Sequence, residues 1–210
     1  MYFISNNINY GVPFLWCIEI IFICYDNDMK HPVFITGNQD KADYLSHVLG
    51  IELEHQKLSL DEIQSVDPAT VAEHKARRAY DILKSPVLIE DSYLSFNALN
   101  GLPGPFIKFF YEATDGLDMM CRMLDGFDDR SAYTGAVYCY FDGDKVRIFN
   151  GRLDGSISHK PRGANGYGWD KIFKPVGYDH TIAELSPKDS AQLHNNVMGF
   201  NALREFLLSS

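Results

Sequence analysis

The chain has 210 residues, 46% of them hydrophobic and 22% charged, which suits one folded domain, or one domain with a small second lobe, and excludes a disordered chain. Its formal net charge of -9 argues against a long nucleic acid as partner, because affinity for a polyanion comes from Lys and Arg neutralising phosphates. A small phosphorylated substrate stays compatible, since it needs only a few local lysines and can arrive with its own Mg²⁺.

The cysteines Cys17, Cys24, Cys121 and Cys139 form no CxxC pair, and the histidines form no HxxxH pattern. Neither a zinc site nor a disulfide framework is expected, and a reducing, cytoplasmic setting is the default.

The first segment stands apart from the rest. Gly11 to Tyr25 is strongly apolar, but it is shorter than the roughly 20 residues of a membrane span, and Glu19 interrupts it. No Lys or Arg precedes Lys30, which makes a poor signal peptide. Met29 is expected to be the natural start, with residues 1–28 as upstream sequence read as protein and 29–210 as a single domain. A packed N-terminal element and a membrane anchor are the alternatives. Peptides from residues 1–28 in a mass spectrum of the native protein would refute the expectation.

From Pro32 the run PVFIT, ending at Thr36, reads as a buried strand. Gly37 and Asn38 turn the chain, and Ala42, Leu45, Val48 and Leu49 recur at helical spacing, predicting a helix from about Asn38 to Leu49. Ile51 to Lys57 reads as a second strand. Pro68 opens another helix, with Ala72, Ala76, Ala79 and Leu83 on its buried face. Pro86 to Glu90 is a short apolar strand. Pro103 to Pro105 reads as a rigid loop leading into a helix from Phe106 to Ala113, and Leu117 to Leu124 as a further helix.

Ala132 to Phe141 is rich in Tyr, Val and Thr and reads as a strand. The turn Asp142-Gly143-Asp144 returns it as a hairpin partner, Val146 to Arg152. Lys160 to Asp170 is a glycine-rich loop, and Ala202 to Leu208 a closing helix. Strands and helices mix without strict alternation. The expected fold is therefore α/β, with a mixed, long, twisted sheet flanked by helices and two lobes around a central substrate cleft.

Several residue groups can carry chemistry. At Thr36-Gly37-Asn38-Gln39-Asp40-Lys41 a strand ends and a helix begins, and free N–H groups at a helix start favour anions, with Lys41 one turn in. An ordinary strand-to-helix connection would look the same. Glu90 and Asp91, followed by Ser92, sit where the apolar strand is expected to end. Neighbours on a strand point to opposite faces, so the two carboxylates should have different jobs. One could bind metal while the other orients water or a lysine, and Glu62 could supply a further carboxylate, since Mg²⁺ favours one or two carboxylates plus substrate phosphates; taken singly, each could equally be a solvated acid at a strand edge. Three further lysines matter, Lys75 on the second helix, Lys108 after the Pro-Gly-Pro loop and Lys188 in Ser186-Pro187-Lys188, although any one of them would ordinarily be a solvated surface lysine. Gly163 to Asp170 could let backbone approach a ligand closely, with Tyr167 and Trp169 to stack on a base. The two aromatics could equally plug the core.

Taken together these segments resemble the inosine triphosphate pyrophosphatase family, which removes non-standard purine nucleotides. The resemblance runs from about Val33 to Leu207. Its most specific part lies in Ile89 to Phe110, IEDSYLSFNALNGLPGPFIKFF, where the run FNAL-x-GLPGP-x-IK is close to diagnostic. The start TGN-x-x-K, the blocks DEIQS and GFDDRSAY, and GYGWD followed by IF-x-P-x-GY match in the same order.

The resemblance implies Mg²⁺-dependent cleavage of ITP, dITP and XTP to monophosphate and pyrophosphate, by water attacking the α-phosphorus. It implies that Thr36, Gly37, Asn38 and Lys41 form the phosphate-binding start and that Glu62 and Asp91 hold Mg²⁺, with Glu90 beside them. Lys75 and Lys108 would contact the triphosphate, and Tyr167, Gly168, Trp169 and Asp170 would form the base pocket. Glu90 or Asp91 would activate water. The implied assembly is a homodimer.

One segment departs from the pattern. The family carries a lysine six residues after the glutamate of its AEL segment, then Ser-His-Arg. Here the sixth residue after Glu184 is Ser190, Lys188 is offset by two, and the later triplet reads Leu193-His194-Asn195. In the family the His-Arg pair helps read the purine 6-oxo group, and Asn carries no charge and is shorter than Arg. The departure thus falls on base discrimination rather than on the hydrolysis itself. Lys160, Arg162 and Arg204 are candidates to replace the arginine.

Overall fold

The computed structural model describes residues 31–197 and 199–209, without the side chains of 194–197. The expectations about residues 1–28 and Met29, and those about the side chains of His194 and Asn195, lie outside the described residues. The strands are β1 (Val33–Ile35), β2 (His55–Gln56), β3 (Val87–Phe96), β4 (Pro103–Gly104), β5 (Ser131–Phe141), β6 (Val146–Ile157) and β7 (Phe173–Pro175). The helices are α1 (Gln39–Leu49), α2 (Pro68–Leu83), α3 (Ile107–Tyr111), α4 (Gly116–Arg122), α5 (Pro187–Val197) and α6 (Phe200–Leu208). The sheet runs β2-β1-β3-β5-β6-β7, with β4 paired to β3.

The sheet is mixed, as the sequence predicts. β1 lies parallel between β2 and β3, while β3, β5, β6 and β7 follow one another antiparallel. Parallel neighbours need crossover connections, and α1 and α2 supply them. Asn38 caps α1 by accepting from the Lys41 backbone N–H at 3.2 Å, and Gly50 ends it in the left-handed region. Asp67 caps α2 ahead of Pro68, accepting from Ala69 N and Thr70 N.

Strand alternation divides the core. Phe34, Leu88, Ala136, Tyr138 and Tyr140 meet Ala42, Leu45 and Leu49 of α1 and Phe200, Leu203 and Leu207 of α6. On the opposite face Val87, Ile89, Val137 and Cys139 meet Ala72, Ala76 and Ala79 of α2. The alanine stripe puts no long side chain between helix and sheet, so α2 can approach closely. At the far end of β3 and β5, Leu94, Phe96 and Ala132 pack with Ile107, Met120, Cys121 and Leu124.

Several elements differ from the sequence-based expectations. β3 does not stop at Glu90 but continues to Phe96, because β5 pairs with it residue by residue from Val87↔Phe141 to Phe96↔Ala132. The apolar run ends at Glu90, whereas the backbone ladder does not. β6 likewise extends past Arg152 to Ile157, held by β5 and then β7. The expected strand over Ile51 to Lys57 shrinks to His55–Gln56, since Ile51 and Leu53 are used as core plugs beside α1. Pro103 and Gly104, read as loop, bridge to Ser95 and Leu94. The helix expected over Phe106 to Ala113 is confined to Ile107–Tyr111. β7 and α5 were not predicted: three residues carry too little pattern, and α5 has a polar sequence.

Candidate active site

The topology leaves a gap along one edge of β3. β1 pairs with β3 only at Val33↔Val87 and Phe34↔Leu88, and β4 takes up the same edge only at Leu94 and Ser95. Residues 89–93 have a strand neighbour on the β5 side alone. The gap opens at the carboxyl ends of the parallel strands, where α/β sheets commonly bind ligands. Glu90 and Asp91 lie in it. They are therefore mid-strand by hydrogen bonding to β5 and yet at the end of the parallel part of the sheet.

Alternation sends the two carboxylates to opposite faces, as expected. Glu90 follows Leu88 toward the α1 side, where Lys41 Nζ lies 2.9 Å from its Oε1 and Ser92 Oγ donates to the same oxygen at 3.0 Å. Asp91 follows Ile89 toward α2, where Lys75 Nζ lies 3.6 Å from its Oδ2. Lys75 Nζ also lies 2.9 Å from Glu62 Oε1, so one ammonium joins a carboxylate from the loop before α2 to a carboxylate from β3.

Burial governs the charges here. The side chains of Lys75 and Asp91 are 17% and 16% exposed, against 58% for Glu62. Burial raises the Asp91 carboxyl above its ordinary range. Lys75 pulls it down, Glu62 pushes it up and Lys41 pulls it down, without cancelling the burial. Burial would depress the Lys75 ammonium, but Asp91 and Glu62 outweigh it and the net direction is up. The partners differ because Lys75 has two carboxylates, whereas Asp91 has a like charge beside it as well as a cation.

The start of α1 borders this group. Thr36 Oγ1 accepts from Asn38 N at 3.1 Å, and Asn38 Oδ1 accepts from Lys41 N. The turn Thr36-Gly37-Asn38 is thereby fixed ahead of a helix N-terminus, and Lys41 reaches Glu90 from the first turn of that helix. Thr36, Gly37, Asn38, Lys41, Glu62, Lys75, Glu90, Asp91 and Ser92 are thus brought into one neighbourhood.

The remaining candidates are placed elsewhere. Lys108 is exposed on α3, 4.0 Å from Glu112. Lys188 is exposed on the first turn of α5. Tyr167 is 74% exposed, and its ring lies 6.0 Å from that of Tyr111 of α3. Gly168 opens a 3₁₀ turn, Gly168–Lys171, in the left-handed region at φ 56°. Trp169 packs partly against the far core cluster and donates from Nε1 to Thr134 Oγ1 at 2.9 Å, while Thr134 Oγ1 donates to Tyr93 O at 2.7 Å. That chain ties the loop to β3 two residues beyond Asp91. Asp170 is buried and accepts from the Tyr167 backbone N–H at 2.8 Å, so its carboxylate holds the loop's shape.

Of the groups considered as replacements for the missing arginine, Arg204 donates from Nε to Leu49 O at the end of α1, and Arg162 donates to Asp179 O and lies 3.3 Å from Glu184. Both are engaged in structure. Leu193, where the family has serine, packs against the far core cluster.

The structure adds residues that sequence reading missed. Tyr138 stands opposite Glu90 in the β3–β5 register. Burial first, and the Glu90 charge second, raise both Tyr138 and Tyr44, so two phenols stay neutral beside that carboxylate. Tyr111 partners the exposed Tyr167 ring, and Thr134 anchors Trp169. Strand register would have pointed to Tyr138 and Thr134. No local motif marks Tyr111.

The fold is thus an α/β sheet with a gap at the carboxyl ends of its parallel strands, lined by acidic residues and lysines from both faces. The Ham1 family model matches residues 32–206, and the chain belongs to that family. It is 42% identical over 186 residues to the inosine triphosphate pyrophosphatase of Batrachochytrium dendrobatidis (strain JAM81 / FGSC 10211), covering 86% of this chain and 96% of that protein. It is 38% identical over 181 residues to the enzyme of the same name from Schizosaccharomyces pombe (strain 972 / ATCC 24843), covering 84% and 95%. Among solved structures it is similar to the Ham1 protein of Staphylococcus aureus, with TM-score 0.76, 26% identity and coverage of 86% and 99%. It is also similar to a HAM1 protein from Coxiella burnetii, with TM-score 0.75, 27% identity and coverage of 87% and 100%.

Proposed function

We propose that this protein hydrolyses non-standard purine nucleoside triphosphates, ITP, dITP and XTP, to the monophosphate and pyrophosphate, and that Mg²⁺ is its cofactor. The observation that carries the reading is the Lys75 ammonium seated between Glu62 and Asp91, next to the Lys41–Glu90 pair at the start of α1. The relatives' shared name, inosine triphosphate pyrophosphatase, supports the same reaction.

The donor set fits the metal. Glu62 and Asp91, which both face the Lys75 ammonium, offer hard carboxylate oxygens, and Mg²⁺ takes only one or two protein carboxylates when substrate phosphates complete its shell. When bound there, the ion would neutralise phosphate charge and favour pyrophosphate as leaving group. Lys41 and Lys75 lie on either side of the β3 gap and would stabilise charge that builds on the phosphate oxygens. The N–H groups at the start of α1 would hold a terminal phosphate. Glu90, fixed by Lys41 and Ser92, would orient the attacking water. Lys108 and Lys188 would extend the phosphate contacts, and Tyr167, Gly168, Trp169 and Asp170 would receive the base. The protein would act in the cytoplasm as a homodimer, with no polymeric nucleic acid and no membrane as partner. Among the described residues no helix is long and apolar enough to cross a membrane.

The test is pyrophosphate release from ITP, XTP, dITP, ATP and GTP, with Mg²⁺ and with EDTA. Preference for ITP, dITP and XTP that requires Mg²⁺ is the expected result. Equal turnover of all five would keep the chemistry and remove the base preference, as the Leu193-His194-Asn195 departure would allow. Tight ITP binding without turnover would make the protein a nucleotide binder of the same fold.

A further inference from the structure

Lys57 follows β2 at the carboxyl end of the parallel strands. The Gln56 carbonyl accepts from Thr36 N at 3.1 Å, which sets Lys57 beside the Thr36-Gly37-Asn38 turn. Its aliphatic stem lies across Gly37. A Cβ added to Gly37 would meet Lys57 Cδ at 2.9 Å, Cγ at 3.1 Å and Cε at 3.3 Å. Gly37 is not in the left-handed region, so its backbone does not require glycine, and the close neighbour it leaves room for is the flexible Lys57 stem.

The ammonium at the end of that stem is exposed and forms no ion pair among the described residues, whereas Lys41, Lys75 and Lys108 each face a carboxylate. An exposed ammonium whose stem lies against the turn is placed to meet an anion there, because a lysine can lay its stem along the surface and keep the charged head in water. The neighbouring site is also short of positive charge: Lys41 and Lys75 stand against Glu62, Glu90 and Asp91 before any phosphate arrives.

We propose that Lys57 is a further substrate-binding residue, whose ammonium contacts the phosphate group seated on the Thr36-Gly37-Asn38 turn. The inference rests on the triphosphate reading of the site given above.

Lys57→Met tests it, since the variant keeps an unbranched stem over Gly37 and removes the charge, while Lys57→Arg keeps the charge. Binding of Mg²⁺-tripolyphosphate and of inosine is measured by calorimetry on the full chain. Lys57→Met should weaken tripolyphosphate about tenfold, the scale of one lost partly screened charge contact, with Lys57→Arg close to the unaltered protein and inosine affinity the same in all three. Tripolyphosphate binding by Lys57→Met within about twofold of the unaltered protein would overturn the proposal. So would an equal loss for inosine, or an unaltered protein that binds no tripolyphosphate. Turnover of ITP is read separately. Lys57-dependent tripolyphosphate binding without pyrophosphate release would leave the phosphate contact standing and remove the hydrolase reading.

Discussion

Replacing Lys75 with Met takes the cation from between Glu62 and Asp91 and leaves Asp91 in a site that already disfavours its charge. Removing one member of a fully buried pair costs about 3–5 kcal/mol. Here the cost is smaller. Glu62 is mostly exposed and can turn to water, both Lys75 and Asp91 keep some exposure, and Lys41 still attracts Asp91. The expected loss near pH 7 is about 1–2 kcal/mol, or roughly 3–6 °C in Tm for a chain of this size.

The pH dependence distinguishes the cause. The folded-state pKa of Asp91 lies above its unfolded value, so the folded protein holds that proton more tightly. Ionised Asp91 therefore costs stability above its folded pKa, and the cost fades as pH falls through it. Loss of Lys75 raises that pKa further. The Lys75→Met deficit should be largest near pH 8 and shrink toward about pH 5, and Lys75→Met/Asp91→Asn should recover about half of it or more. Lys75 itself has a raised pKa, so its contribution to the unaltered protein fades only in the alkaline lysine range, outside this window. Denaturant unfolding of the three proteins at both pH values measures the effect. A deficit of equal size at pH 5 and pH 8, or a further loss on adding Asp91→Asn, would refute the reasoning.

Two further predictions concern local structure. Asn38→Ala removes the α1 cap and should cost about 1 kcal/mol in denaturant unfolding. It should also raise the KM for ITP, because the turn that presents Lys41 loosens; unfolding unchanged within error would show the cap to be idle. Trp169→Phe removes the Nε1 bond to Thr134 and should lower Tm by about 2–4 °C. Thr134→Val costs more, since it also removes the Thr134 Oγ1 bond to Tyr93 O, but a thermal-melt double-mutant cycle should show the two positions coupled through the shared bond, and full additivity would contradict it.

Much of the local structure around the candidate site was legible before any fold. The helix start at Asn38, the opening of α2 at Pro68 and the hairpin turn at Asp142 to Asp144 are set by local chemistry: a capping side chain, a fixed φ and a turn sequence. The opposite directions of Glu90 and Asp91 follow from the strand period alone. Misread were elements whose hydrogen bonds come from distant chain. β3 runs on through its two acids because β5 supplies a complete partner, and a hydrophobicity pattern cannot see that ladder. β7 and the Pro103–Gly104 bridge are too short to carry a period, and are strands only because β6 and β3 lie alongside.

The sequence by itself determined which groups are present and which way neighbours on one strand point, because caps, turns and side-chain alternation are local properties. Only the tertiary structure decided that Lys41 meets Glu90, that Lys75 joins Glu62 to Asp91, and that the Lys57 stem crosses Gly37. Those meetings depend on β1 ending early and leaving one edge of β3 open, and on α1 and α2 packing on opposite faces of the sheet around it. A sequence does not show the gap, since it arises from the unequal lengths of strands that are far apart in the chain.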